Sequence, residues 1–348
     1  MSAEPTAVLD PADPCQATRR VLRAWLAFHA VFVWYPCEAR ALIDRIPDPD
    51  EALRASRRAP PPHFDPGAAL TALRRARAVA VPISSPAYPA RLARLGDAPP
   101  VLFVRGSPAA LASDAVALVG ARAASAHGLA AARELARALV RAGLVVVSGL
   151  ARGVDAASHQ GALEAGGRTV AVQACGPDLV YPSRHRPLAS RIAGSGAVVT
   201  ELAPGTPPLP RHFPFRNRII SALARAVVVV EARERSGSLI TARHALDQGA
   251  EVLAVPGPIS VASCRGSNRL LRDGAAPVLD ASDVLAALGL PPPAASTTGE
   301  GRAKEDAPRH RSILLAIERE PASRDELARR LRLSPAECAR VLVELELD

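Results

Sequence analysis

The stretch Leu144-Val145-Val146-Val147-Ser148-Gly149-Leu150-Ala151-Arg152-Gly153-Val154-Asp155 decides the fold. A Val-rich run of strand length stops at a Ser-Gly turn, and a helix-compatible segment starts after the second glycine. The same unit recurs along the chain. Val-rich runs at 116–119, 144–147, 169–173, 197–200, 226–230 and 251–255 each end in Gly, Pro or Ser before an amphipathic stretch such as 129–140. Near-continuous apolar strands separated by helices predict an α/β fold, with a Rossmann-like parallel sheet covered on both faces. In such a sheet the ligand site lies on loops leaving the carboxyl ends of the strands.

Outward from this core the pattern changes. Residues 16–58 carry Val21, Leu22, Trp25, Leu26, Ala41, Leu42 and Ile43 at helical spacing, and Pro60-Pro61-Pro62 follows as a linker. Residues 291–308 have the Pro/Ser/Thr/Gly and charged composition of a connector. Three short helices are expected beyond it, at 311–319, 323–331 and 334–345. Ser323 with Glu326 makes a capping box, and Ser334-Pro335 with Glu337 is another helix start. The expected division is a small helical domain at 1–65, the sheet core at 66–288, a linker at 289–308 and a helix-turn-helix or winged-helix-like domain at 309–348. The last is expected to be truncated, since the chain stops at Asp348 before a wing hairpin.

The 348 residues are 49% hydrophobic, ample for such a core, and carry a formal charge of +9. That balance permits a polyanionic partner without demanding one. Lys304 is the only lysine, and the abundance of Arg, Ala and Pro is what a GC-rich genome produces. Aromatics make up 3%, so a nucleic-acid strand would be held mainly through its phosphates. Cys15, Cys37, Cys175, Cys264 and Cys338 show neither a C-x-x-C pair nor metal-ligand spacing. With no signal peptide and no apolar run of membrane length, a cytoplasmic protein is expected.

Five strand exits carry the candidate chemistry. The first is Val119-Gly120-Ala121-Arg122 with Ser125 and Gly128, where glycine and a helix N-terminus can cradle an anion and Arg122 can fork onto a phosphate. The second is 148–155, in which Ser148, Gly149, Arg152 and Gly153 repeat the cradle. There Asp155 reads as a helix cap and His159 as a packed histidine, in preference to a catalytic pair. In the third, Phe213-Pro214-Phe215-Arg216-Asn217-Arg218-Ile219-Ile220, phosphate donors are interleaved with apolar side chains. Asn217 either caps a helix or bonds a base edge. The fourth is Arg235-Ser236-Gly237-Ser238 through Thr241. The fifth is Pro256-Gly257-Pro258 with Gly266-Ser267-Asn268. Singly the first, second, fourth and fifth read as ordinary turns, and the third reads equally as a capped helix or a binding segment. Jointly they make a positive, phosphate-sized groove, with no G-x-G-x-x-G, Walker A sequence, G-x-S-x-G elbow or metal cluster, so neither cofactor nor metal is expected.

These motifs, in this order and spacing, resemble the DprA/Smf (DNA processing protein A) family over roughly residues 80–280. Gly176 with Tyr181-Pro182, Thr200-Glu201 and the upstream Tyr88-Pro89, Leu92, Asp97, Pro99 and Leu102 belong to the match. The resemblance implies an extended Rossmann fold and dimerisation through it. It also implies binding of incoming single-stranded DNA and loading of RecA during natural transformation, with no catalysis. The family's N-terminal sterile-alpha-motif-type domain matches 1–65 only loosely. Ala121 stands where the family usually has Ser, and Ser158 where Ala is commoner. On this reading Arg122, Arg152, Arg216, Arg218 and Arg235 hold phosphates, and Asn217 with Phe215 or Ile219 touches a base. Two alternatives are a phosphoribohydrolase-like nucleotide enzyme and a duplex binder using the C-terminal helices. The first lacks its P-G-G-x-G-T-x-x-E loop, since Pro256-Gly257 continues as Pro258-Ile259.

Overall fold

The computed structural model describes residues 8–13, 15–291, 324–331 and 334. Strands β1 (Ala78–Pro82), β2 (Val101–Gly106), β3 (Ala115–Val119), β4 (Val145–Ser148), β5 (Thr169–Val172), β6 (Ala197–Thr200), β7 (Ala226–Val229), β8 (Glu251–Ala254) and β9 (Ala276–Pro277) form one sheet. Its order is β1-β2-β6-β5-β4-β3-β7-β8-β9. Every pair from β6 to β9 is parallel, whereas β2 joins β6 and β1 joins β2 antiparallel. The six expected strands are all present. The antiparallel extension, β1 and β2, lies outside the Val-rich runs from which the strands were expected.

Helices α1 (Gln16–Phe32), α2 (Pro36–Arg45), α3 (Pro49–Ser56) and α4 (Pro66–Ala76) precede the sheet, and α5 (Ala90–Ala93) lies between its first two strands. Proline at the first turn starts α2, α3 and α4, and Asp48 and Asp65 cap the last two by accepting from Glu51 and Gly67 amides. Between and after the parallel strands come α6 (Ala126–Arg141), α7 (Val154–Glu164), α8 (Arg186–Ser195), α9 (His212–Ala222), α10 (Gly237–Asp247), α11 (Arg265–Arg272) and α12 (Ala281–Ala287).

Alternation along the strands divides the core. Val116, Leu118, Val146 and Val228 pack on Leu135, Leu139, Val154 and Val284 of α6, α7 and α12. Ala117, Val119, Val147 and Val229 pack on Ile219, Ile220, Ala242 and Ala245 of α9 and α10. A third cluster joins Leu22, Trp25, Phe28 and Phe32 of α1 to Ala78, Ala80, Val101 and Phe103 of β1 and β2. The N-terminal helices therefore share a core with the sheet edge.

The chain divides into two compact units, 1–292 and 293–348. In the second, α13 (Arg324–Leu331) falls inside the expected helix at 323–331, with Leu327 and Ala328 buried. The helices expected at 311–319 and 334–345, the capping signals at Ser323 and Pro335, and most of the linker at 291–308 lie outside the described residues. Among the described residues no helix is long and apolar enough to cross a membrane.

Candidate nucleic-acid interface

The carboxyl ends of β3, β4 and β7 open into a cleft of about 610 Å³. It brings together Gly120, Arg122, Asp155, Arg216, Asn217, Arg235, Ser236, Gly237 and Ser238, as the motif spacing anticipates. A smaller cleft of about 290 Å³ adjoins it, sharing Arg122, Ala151, Tyr181 and Phe213 and adding Gly149, Arg152 and Arg184. Arg122, Arg152, Arg184, Arg233 and Arg235 are exposed, and among the described residues none is ion-paired.

Beneath this rim several expected phosphate contacts are put to other uses. In the first cradle, Ser125 caps α6 by accepting from the Gly128 amide at 3.0 Å, while its hydroxyl donates to Glu231 Oε2 at 2.8 Å. The protein's own carboxylate fills that helix N-terminus. Gly120 allows close packing, since a Cβ there would lie 2.6 Å from Val154 Cγ2.

The second cradle is stapled shut. Ser148 is fully buried and donates to the Leu118 carbonyl at 2.6 Å. Asp155 does not cap α7, whose N-cap is Gly153. Its Oδ2 accepts instead from the amides of Gly149 at 3.1 Å and Ala151 at 3.2 Å. From the other side Arg216 Nη1 donates to the Gly149 carbonyl at 2.8 Å and to the Val172 carbonyl. His185 Nδ1 donates to the Leu150 carbonyl at 2.9 Å. These bonds hold Leu150 at φ 57°, a left-handed conformation that costs a branched side chain energy. A Cβ on Gly149 would meet Arg216 and Asp155 at 2.7 Å, and one on Gly153 would meet the Ala121 carbonyl at 2.1 Å. Burial raises the Asp155 carboxyl, opposed chiefly by Arg216, and lowers Arg216 to about 10.

His159 is packed, as expected. Its Nδ1 donates to Thr169 Oγ1 at 2.7 Å, because the Thr169 hydroxyl hydrogen is already committed to the Val146 carbonyl. Among the described residues Nε2 is buried without a partner, and burial pushes the imidazole down to about 3.

The third motif lies inside α9, which begins at His212, so Asn217 neither caps a helix nor starts one. Helical spacing places Phe213, Arg216, Asn217 and Ile220 on the cleft side and Phe215 and Arg218 elsewhere. Arg218, expected on a phosphate, is 3% exposed and bonds Glu201 Oε2 at 2.6 Å, with Asp97 Oδ2 at 3.2 Å. Phe215 packs with Trp34, ring centroids 5.6 Å apart, under the Arg218 guanidinium. Ile219 is in the core. The aromatic surface of the cleft comes from Phe213 and Tyr181, centroids 5.6 Å apart, with the Arg122 guanidinium 5.0 Å over Phe213. Tyr181, Phe213, Arg184 and Arg233 also line the clefts, although the motifs assigned none of them a contact.

In the fourth motif Ser236 caps α10, accepting from the Ser238 amide at 3.3 Å, and Asn217 Nδ2 donates to the Gly237 carbonyl at 3.2 Å. Nothing among the described residues lies within 4 Å of a Cβ built on Gly237. Among the described residues no carboxylate bonds this N-terminus, which opens into the main cleft between Arg233 and Arg235. The fifth motif is closed: Asn268 accepts from the Gly257 amide at 3.1 Å and donates to its carbonyl at 2.9 Å. Among the described residues no group of three His, Cys, Asp or Glu side chains is placed to hold a metal.

A family model described as DNA recombination-mediator protein A matches residues 80–289, and one described as DprA winged helix domain matches residues 290–348. The chain is 43% identical over 199 residues to DNA processing protein DprA of Streptococcus pneumoniae, spanning 57% of this chain and 70% of that protein. It is 44% identical over 206 residues to Protein Smf of Escherichia coli K12, spanning 59% of this chain and 55% of that protein. Among solved structures it resembles DNA processing protein A from Streptococcus pneumoniae, with a TM-score of 0.62 and 34% identity over 77% of this chain and 95% of that one. It also resembles DNA processing protein A from Helicobacter pylori, solved for its single-stranded DNA binding mode. There the TM-score is 0.54 and the identity 29%, over 57% of this chain and 92% of that one.

Proposed function

Because the chain belongs to the DNA recombination-mediator protein A family, we propose that it binds single-stranded DNA, as a recombination mediator, in the cleft at the carboxyl edge of its sheet. One observation carries this reading: exposed Arg122, Arg233 and Arg235 line the cleft that holds an open helix N-terminus, Arg152 and Arg184 line the adjoining cleft, and among the described residues none of the five has a carboxylate partner. Guanidinium forks and free amides suit phosphates of any sequence. Phe213 and Tyr181 offer a surface for one or two bases.

On this proposal Arg122, Arg152 and Arg235, joined by Arg184 and Arg233, contact the strand. Arg216, Asn217, Gly149 and Asp155 hold the floor of the cleft. By the family resemblance the protein protects incoming strands in the cytoplasm and loads RecA during natural transformation, acting as a homodimer. The role is binding, without turnover.

The test is an anisotropy titration of a labelled single-stranded oligonucleotide, with duplex as control, across a salt series. Preference for the single strand, with affinity falling steeply in salt, supports the reading. No binding at low salt by folded protein would overturn it, and hydrolysis of a nucleoside monophosphate would then favour an enzyme.

A further inference from the structure

A groove of about 710 Å³ lies between α4 and α8, apart from the two clefts described above. Arg75 and Arg77 at the end of α4, Arg105 at the end of β2 and Arg186 at the start of α8 all line it. Elsewhere the protein neutralises many of its arginines: Arg40 meets Asp44, Arg58 meets Glu38, Arg133 and Arg137 meet Glu164, and Arg225 meets Asp114. In this groove it does not. Among the described residues no carboxylate lies within ion-pair distance of any of the four. Among the described residues the one acid in the lining, Asp178, has Oδ1 engaged with the Gly205 amide at 2.8 Å. Arg105 is half-buried, and the loss of water lowers its pKa from the ordinary value. Four like charges on one concave surface raise the local potential and draw in a polyanion.

The groove begins where the smaller cleft ends. Tyr181, Pro182, Ser183 and Arg184 line that cleft, and Val180 and Arg186, flanking the same turn, line the groove. The rest of its lining includes Ala76, Gly106, Ala193 and Gly194, small residues that leave room for a sugar-phosphate chain. Among the described residues no aromatic side chain lines it, so its contacts would not depend on base sequence.

We propose that this groove carries the continuation of the strand bound in the cleft. The backbone passes Arg184, crosses the turn at 180–186 and runs between α4 and α8 against Arg186, Arg75, Arg77 and Arg105. This rests on the single-stranded-DNA reading above, and the test separates the two. Homopolymeric oligonucleotides from about 5 to about 25 nucleotides are titrated against the parent protein and against Arg75→Glu/Arg186→Glu, both exposed positions. Arg75→Gln/Arg186→Gln serves as the milder variant, and thermal melting checks that each is folded.

Short oligonucleotides are expected to bind all three proteins within about twofold of one another. Long ones should lose about tenfold or more in the charge-reversed variant at 0.1 M salt, with a log–log salt slope shallower by about 1.4. Equal affinity and slope for long oligonucleotides in all three proteins would overturn the groove while leaving the cleft intact. Loss confined to duplex DNA would overturn it as well. If short oligonucleotides bind none of the proteins but long ones are lost in the variant, the groove binds DNA without the cleft, and its role as a continuation of the cleft is overturned. No binding at any length overturns both.

Discussion

Glu231 sits at the N-terminus of the helix that Ser125 caps, its Oε2 accepting from the Ser125 amide at 3.1 Å and the Ser125 hydroxyl at 2.8 Å. A Cβ on Gly128 would lie 2.2 Å from the same oxygen, so the carboxylate is tightly enclosed. It takes the seat that a phosphate would take at a bare helix end. Glu231→Ala should therefore cost about 1–3 kcal/mol of stability in urea unfolding while leaving single-stranded DNA affinity equal or stronger. Weaker binding at unchanged stability would mean that this carboxylate organises the binding edge instead of closing it.

The rim arginines and the buried ones should separate cleanly. Arg122→Ala and Arg235→Ala are each expected to weaken single-stranded DNA binding about fivefold at 0.1 M salt and to reduce the salt slope by about 0.7. Their melting temperatures should match the parent. Arg218→Ala leaves Glu201 buried without its partner, and a loss of about 3–5 kcal/mol in stability is expected from chemical denaturation.

Two phenylalanines a residue apart make a second contrast. Phe213→Ala removes the ring shared by both clefts and should cost about 1–3 kcal/mol in oligonucleotide affinity. Phe215→Ala removes a partner of Trp34 and Arg218, so its effect should appear in thermal melting, with affinity unchanged. The reverse pattern would exchange their roles.

Acid should destabilise the fold through His159 and His29, which burial pushes down to about 3 and about 4 from 6.5. Between those values and 6.5 the unfolded chain binds protons that the folded chain refuses. Their stabilisation is complete above about pH 6.5 and is lost as pH falls. Glu201, pushed up by burial to about 7 despite Arg218, works in the opposite sense between 4.5 and 7. The informative measurement is thus a difference: the melting temperature of His159→Gln should depend less steeply on pH than the parent's between about 7 and 5. Parallel profiles would mean that His159 does not contribute.

The strand–turn–helix rhythm was legible because parallel strands buried on both faces must be apolar throughout, and Val runs such as 144–147 have no other use. The loops carrying Arg122 and Arg235 followed from the same rhythm. What the sequence hid was direction. With Asn217 as a cap α9 would start at 218, six residues after its actual start at His212, and the longer helix sets Phe213 on the cleft side and Phe215 and Arg218 away from it. Nor does local sequence reveal that Glu231, more than a hundred residues away in the chain, closes the turn at Ser125. Strand β2 is as buried as the parallel strands at Leu102, Phe103 and Val104, but it joins its neighbours antiparallel and so stands outside the strand–turn–helix rhythm.

The core shared by α1 and the sheet edge bears on how the chain can be cut. The family match begins at residue 80, inside β1, whereas Leu9 already pairs with Ala80 through bonds of 2.9 and 3.0 Å, and Phe28 and Phe32 are packed in the cluster that holds Phe103. A chain trimmed to the matched stretch would have an unguarded strand edge next to a bare apolar face, the two ingredients of edge-to-edge association. The N-terminal segment, least like the family in sequence, thus works as a sheath. Its replacement by an unrelated apolar cover should be tolerated, whereas its removal should drive the sheet to stack on its own copies.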